Sequence, residues 1–201
     1  MSAPAAPSGG PHFELEDYRR QFESARADAR KLVEGLSDRQ FNWKAEPKRW
    51  SIAECLEQLN SGWMALPRLD RAIAAAAERG LRGDGPYRHP LLGRLYIRFT
   101  EPPPKIRVPA PTRFRPKPDQ PVSAVVPRFF ELQDEILQRI TASHGLDLGR
   151  IRIRSPITKR FRMSLGQWFA FLAAHERRHI WQAWQVRKHP GFPARDGPDL
   201  S

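Results

Sequence analysis

Apolar residues recur at three- and four-residue steps over 13–34: Leu15, Tyr18, Phe22, Ala25, Ala29, Leu32 and Val33. That spacing places them on one face and predicts a helix ending near Gly35. Ser37-Asp38-Arg39-Gln40 predicts one short capped turn after it. A second capping box, Ser51-Ile52-Ala53-Glu54, predicts the start of the next helix, with Trp50 placed to staple onto Cys55. Its stripe is Ile52, Leu56, Leu59, Trp63 and Leu66, and the pattern runs on to Arg79 before Gly80. Pro67 falls inside it and lacks an N–H, so the helix should kink or split near Trp63.

A third helix is predicted from Ser123 to His144, with Pro127 in its first turn and Gly145 just past its end. Val126, Phe129, Gln133, Ile136 and Ile140 share one face. A last helix starts at the capping box Ser164-Leu165-Gly166-Gln167 and runs to about Lys188. Between the second and third helices, residues 81–118 hold nine of the twenty prolines, so they predict a long irregular crossover. Leu92, Leu95 and Phe99 within it are expected to lie down on the helices. Only Arg150–Arg154 has any strand character. Four long helices with one long crossover define an all-α class, and a four-helix bundle is the simplest packing. The chain divides into an N-terminal tail (1–12), a helical domain (13–189) and a C-terminal tail (190–201).

Composition narrows the class of function. No segment approaches the roughly 20 apolar residues that a membrane span needs. Residues 1–11 lack the apolar run of a signal peptide. Cys55 is the single cysteine of the 201 residues, which excludes an intrachain disulfide and fits a reducing, cytoplasmic setting. The net charge of +12 favours anionic partners without naming one. Basic residues cluster at 94–117 and 150–162. No helix carries Arg, Asn and Gln on one exposed reading face, however, so nucleic acid is not the expected partner. No glycine-rich phosphate loop, CxxC pair or nucleophile elbow occurs.

The candidate chemistry lies on the last helix. His175 and His179 stand at i and i+4, on one side and spaced to hold a single metal ion. They share that side with Trp168, Leu172, Gln182 and Val186. Spacing alone does not separate a metal pair from two imidazoles bonded to side chains or water. Cys55 is a candidate thiol nucleophile, although a lone cysteine on an apolar helix face is usually core.

Two stretches carry a resemblance. Trp50-Ser51-Ile52-Ala53-Glu54-Cys55-Leu56-Glu57-Gln58-Leu59-Asn60 resembles the second helix of the DinB / YfiT-like superfamily. Ala174-His175-Glu176-Arg177-Arg178-His179-Ile180-Trp181-Gln182 resembles its fourth. The likeness spans roughly 14–188. It implies an up-down-down-up bundle with the crossover between helices two and three. It also implies one divalent metal, often zinc or nickel, on a helix-two His and the helix-four His pair. His175 and His179 match two of these ligands. At the third position this chain has Gln58, a neutral amide and a poorer zinc ligand than imidazole. Relatives of this fold include metal-dependent hydrolases and thiol-dependent S-transferases acting on small molecules. The departure at Gln58 equally implies a bundle that has lost catalysis and serves as a binding or dimerisation module, with a homodimer as one outcome. Arg178 is a candidate contact for an anionic substrate.

Overall fold

The computed structural model describes residues 13–104, 112–154 and 161–194. The N-terminal tail, residues 195–201 and the loop cations Lys159 and Arg160 lie outside the described residues. The described chain is mostly helical. Its main elements are α1 (Phe13–Val33), α2 (Asp38–Asn42), α3 (Ile52–Asn60), α4 (Leu66–Glu78), α5 (Leu91–Thr100), α6 (Val122–Ala142) and α7 (Leu165–Arg187). A two-stranded antiparallel ribbon pairs β1 (Arg152–Arg154) with β2 (Arg162–Ser164), setting Ile153 opposite Met163. Both of these side chains turn inward and are buried. The other residues of each strand are exposed apart from Ser164, which caps α7.

Local sequence accounts for most boundaries. Ser37, Ser51 and Ser164 each accept a hydrogen bond from the backbone N–H three residues on, and the Gln or Glu side chain there accepts one from the cap residue's own N–H. These reciprocal pairs satisfy amides that a helix N-terminus leaves orphaned. The break expected around Pro67 occurs. A 3-10 turn, Ser61–Ala65, separates α3 from α4, and Pro67 sits in the first turn of α4. Gly80 closes α4 at φ +61°, a conformation that favours glycine.

Two expectations need correction. Pro127 does not lie in the first turn of α6, which begins five residues earlier. Asp38 Oδ1 accepts from Val122 N at 2.7 Å, so a side chain of α2 caps this helix from outside. Pro127 and Ser123, whose carbonyl it leaves without a helical donor, are both exposed, where water can substitute. The second correction concerns the crossover. It contains α5, and Leu92, Leu95 and Phe99 point outward, at 63%, 50% and 53% exposure. The helix instead docks through Gly93 and Thr100, which are buried. A Cβ on Gly93 would stand 2.4 Å from the Gln167 side chain, so glycine permits this close approach to α7. Gln167 Nε2 also donates to Pro90 O at 2.6 Å, fixing the start of α5.

A polar latch ties this crossover to both ends of the fold. His89 Nε2 lies 2.7 Å from Glu14 Oε1, and His89 Nδ1 lies 2.7 Å from Ser164 Oγ. Tyr18 donates its hydroxyl to the same Glu14 oxygen. A Cβ on Gly166 would meet Glu14 Oε1 and His89 Cε1, each at 2.7 Å, so this position too must stay bare. Arg177 adds a second tie, donating to both Glu101 oxygens (3.0 and 2.5 Å) and to Gln21 Oε1 (2.7 Å).

Helix α1 packs along α7 and α6, and α3 packs between the same two. The interior is split into two apolar clusters rather than one. Phe22, Leu69, Leu132, Ile136, Trp168 and Leu172 belong to one, and Ala29, Leu56, Leu59, Phe129, Ile180 and Ala183 to the other. Going along α7, the change falls between Ala173 and Ile180. On α6 it falls between Phe129 and Leu132, and on α3 just after Leu59. Buried polar residues stand at these boundaries: Gln58, Gln133, Glu176 and His179.

Candidate functional site

The polar stratum opens onto a cleft of about 800 Å³. That volume suits a small organic ligand. Its floor carries Gln58 from α3 and His175, Glu176 and His179 from α7. The capping box at Ser51 fixes where α3 starts and thereby which turn presents Gln58. The box at Ser164 does the same for the histidines.

All three predicted site residues therefore meet at one cleft. His179 is buried and His175 half-buried. Their Nε2 atoms are 3.1 Å apart, so one ring donates to the other and the two must be opposite tautomers. Trp50 stacks on His179, with centroids 5.5 Å apart and planes at 21°. Phe171 stacks on His175 at 5.6 Å and 26°. Flanking rings hold the pair on its edge, with the nitrogens facing each other.

Charge is disfavoured at both imidazoles. Burial, and then the Arg178 guanidinium, push His175 down to about 4. Burial, His175 and Arg178 hold His179 well below the usual histidine range, against an opposing contact from Gln182. Both rings are thus neutral near pH 7, the form that binds metal. Three orphans stand at this floor. Gln58 Oε1, Glu176 Oε2 and His179 Nδ1 are buried and meet no hydrogen-bond partner among the described residues. Buried polar atoms in native folds are normally satisfied, so each asks for a ligand, ion or water.

The donor set can be tested against a divalent ion. Two nitrogens bound to one tetrahedral zinc, each at about 2.0–2.1 Å, stand roughly 3.3 Å apart. The observed 3.1 Å needs little adjustment. Gln58 can add an amide oxygen. Among the described residues no group of three His, Cys, Asp or Glu is placed to hold a metal. The fit is thus to two imidazoles and an amide, a weaker set than three imidazoles.

The remaining candidates separate cleanly. Glu54 borders the cleft, but its oxygens accept from Lys44 Nζ (2.7 Å) and Ser51 N (2.9 Å). Asn60 is buried and donates to Glu57 Oε2 and Val125 O, a structural use. Cys55 is fully buried, and burial followed by Glu54 pushes its thiol far up, so it is core and inert. Arg178 lines the cleft and reaches Phe99 O at 3.5 Å.

Sequence reasoning missed one pair. Glu176 accepts from Gln133 Nε2 at 2.8 Å inside the stratum, and burial pushes its carboxyl up to about 8. The signal was present: Gln133 interrupts an otherwise apolar face of α6.

The family model of the DinB superfamily matches residues 21–183. The chain belongs to that superfamily. Comparison with curated proteins and with solved structures finds no match. No described helix is long and apolar enough to cross a membrane.

Proposed function

We propose that this chain is an up-down-down-up DinB-like bundle whose cleft binds a small molecule beside a weak divalent-metal centre. His175, His179 and Gln58 hold the ion, zinc or nickel. The observation that carries this is the facing Nε2 pair, 3.1 Å apart in one cleft with the unpartnered oxygen of Gln58. When bound, the ion supplies Lewis-acid chemistry, to a carbonyl in a hydrolase or to a thiol in an S-transferase. The chain's own residues keep both imidazoles neutral and fix their edges by stacking. Gln58 offers a weakly donating amide oxygen where a three-histidine site has an imidazole nitrogen, so the centre binds metal less tightly than such a site.

The test is zinc uptake in competition with a chelator. Gln58→His is expected to bind zinc at least about tenfold more tightly, a nitrogen donor replacing an amide oxygen. If Gln58→His takes up no more zinc than the parent chain, Gln58 is not at the ligand position and the metal reading fails. A second reading is a bundle without catalysis, acting as a binding or dimerisation module. The neutral third residue favours it. Metal content after purification without chelator or affinity tag separates the two.

A further inference from the structure

We propose that the cleft selects an amphipathic anion: an apolar, ring-sized body carrying one carboxylate or phosphate group. This deepens the reading of the cleft as the functional site but does not depend on the metal.

The walls define the body. Trp50, Tyr96, Phe171 and Trp181 line the cleft, with Leu172 and Ile136 deeper in the same lining. Tyr96 and Phe171 are themselves stacked, 5.2 Å apart at 27°, and Phe171 continues the stack onto His175. A run of parallel ring faces beside the floor suits another flat apolar group, which gains both area burial and offset stacking.

The cations define the head group. Lys48, Arg49, Arg115 and Arg178 all line this cleft. The first three are exposed and Arg178 is half-buried, so they mark its open side. Two acids share the lining, Glu54 and Glu176. Both oxygens of Glu54 are already engaged, by Lys44 and by its own helix cap. Glu176 lies buried in the floor with Gln133 on one oxygen. Arg49 also meets Glu46 at 3.5 Å on the exposed rim, a solvated pair with which a ligand anion can compete. The lining thus sets four cations against two engaged acids, facing a ligand whose apolar part enters the ring-lined wall. Guanidinium forks suit the planar, bidentate geometry of carboxylate or phosphate.

The experiment uses three probes with one body: 1-naphthol, 1-naphthoate and 1-naphthyl phosphate. Binding to the whole chain is measured by titration calorimetry. Both anions should bind at least about tenfold more tightly than 1-naphthol, and raising salt from about 0.05 M to about 0.5 M should shrink that gap. The triple variant Lys48→Gln/Arg49→Gln/Arg115→Gln should weaken both anions about tenfold and leave 1-naphthol within about twofold. All three substitutions are on exposed side chains, so folding is not at stake. Leu92→Ser/Leu95→Ser, on the exposed face of α5 and outside the cleft, should change nothing. The ranking of naphthoate against naphthyl phosphate tells which head group the mouth prefers. Equal affinity for all three probes overturns the proposal, as does binding of none. So does an equal loss of naphthol in the triple variant, or loss of binding in the α5 variant. Zinc uptake is read separately on the same protein. Anion selectivity without zinc binding refutes the metal centre alone, and zinc binding without selectivity refutes this inference alone.

Discussion

Two histidine environments in this molecule look alike on paper and differ in kind. The latch sets His89 between Glu14 and Ser164, the residue types of a hydrolytic triad. The cleft sets His175 against His179. At the latch every nitrogen has a partner. With Glu14 accepting from Nε2, the Ser164 hydroxyl donates to Nδ1 and its oxygen accepts from Gln167 N. Ser164 is fully buried, so no substrate can reach it. At the cleft the two rings share one bond, His179 Nδ1 has no hydrogen-bond partner among the described residues, and the floor opens on an 800 Å³ space. A histidine with both nitrogens occupied holds a fold together. One with vacant valence beside an opening is available for chemistry.

That contrast can be broken at several points. The largest effect is expected from His179→Ala, which removes one of two imidazole donors. Zinc uptake in chelator competition should fall by about a hundredfold or more, with thermal stability little changed. If stability collapses and zinc uptake persists, the roles of the two histidine sites are reversed. His89→Ala should do the opposite. It strands the Ser164 hydroxyl and uncouples the crossover, costing about 1–3 kcal/mol in denaturant unfolding while zinc uptake stays as in the parent. A cost within error would make the latch incidental.

A smaller effect is expected from the polar stratum. The folded state holds the Glu176 carboxyl up at about 8, against an ordinary value near 4.5. For a raised carboxyl, stability is full below pH 4.5 and is lost as pH rises toward 8. Glu176→Gln keeps the acceptor for Gln133 and cannot ionise. In metal-free protein it should therefore be the more stable chain at pH 8, with no advantage near pH 4. An unchanged pH profile would mean that Glu176 is charged and solvated. The smallest expected effect is at Cys55, where a thiol reagent should label the native protein no faster than global unfolding allows. Prompt labelling would show that α3 opens locally.

What was legible from the sequence was local. The boxes at Ser37, Ser51 and Ser164 name their own helix starts because both partners lie within four residues. The break after Asn60 follows from Pro67. The facing histidines follow from helical spacing, and Gln58 from the resemblance to the family. What stayed hidden depends on distant chain. Asp38 caps α6 across 84 residues. The α5 helix sits between prolines and is apolar on several sides, so its large residues Leu92, Leu95 and Phe99 mark the wrong face as inward, and the docking contact is the small Gly93. The capping pattern predicts that Trp50 staples onto Cys55. Trp50 does border that cluster, but its stacking on His179 depends on the path of the loop before α3. The pairing of Gln133 with Glu176 needs α6 and α7 side by side, which no local pattern announces.

The packing of α1 along α7 has a consequence for the order in which the molecule can mature. The start of α1 is translated roughly 150 residues before the start of α7. At about 5–20 residues per second, Leu15, Tyr18, Phe22 and Ala29 wait on the order of ten seconds for their principal partner. Glu14 likewise waits for Ser164. Contacts this far apart in sequence must close a long loop before they repay it, which slows folding. The newborn chain therefore carries the α7-facing side of α1 uncovered until α7 follows, and these two helices become native together.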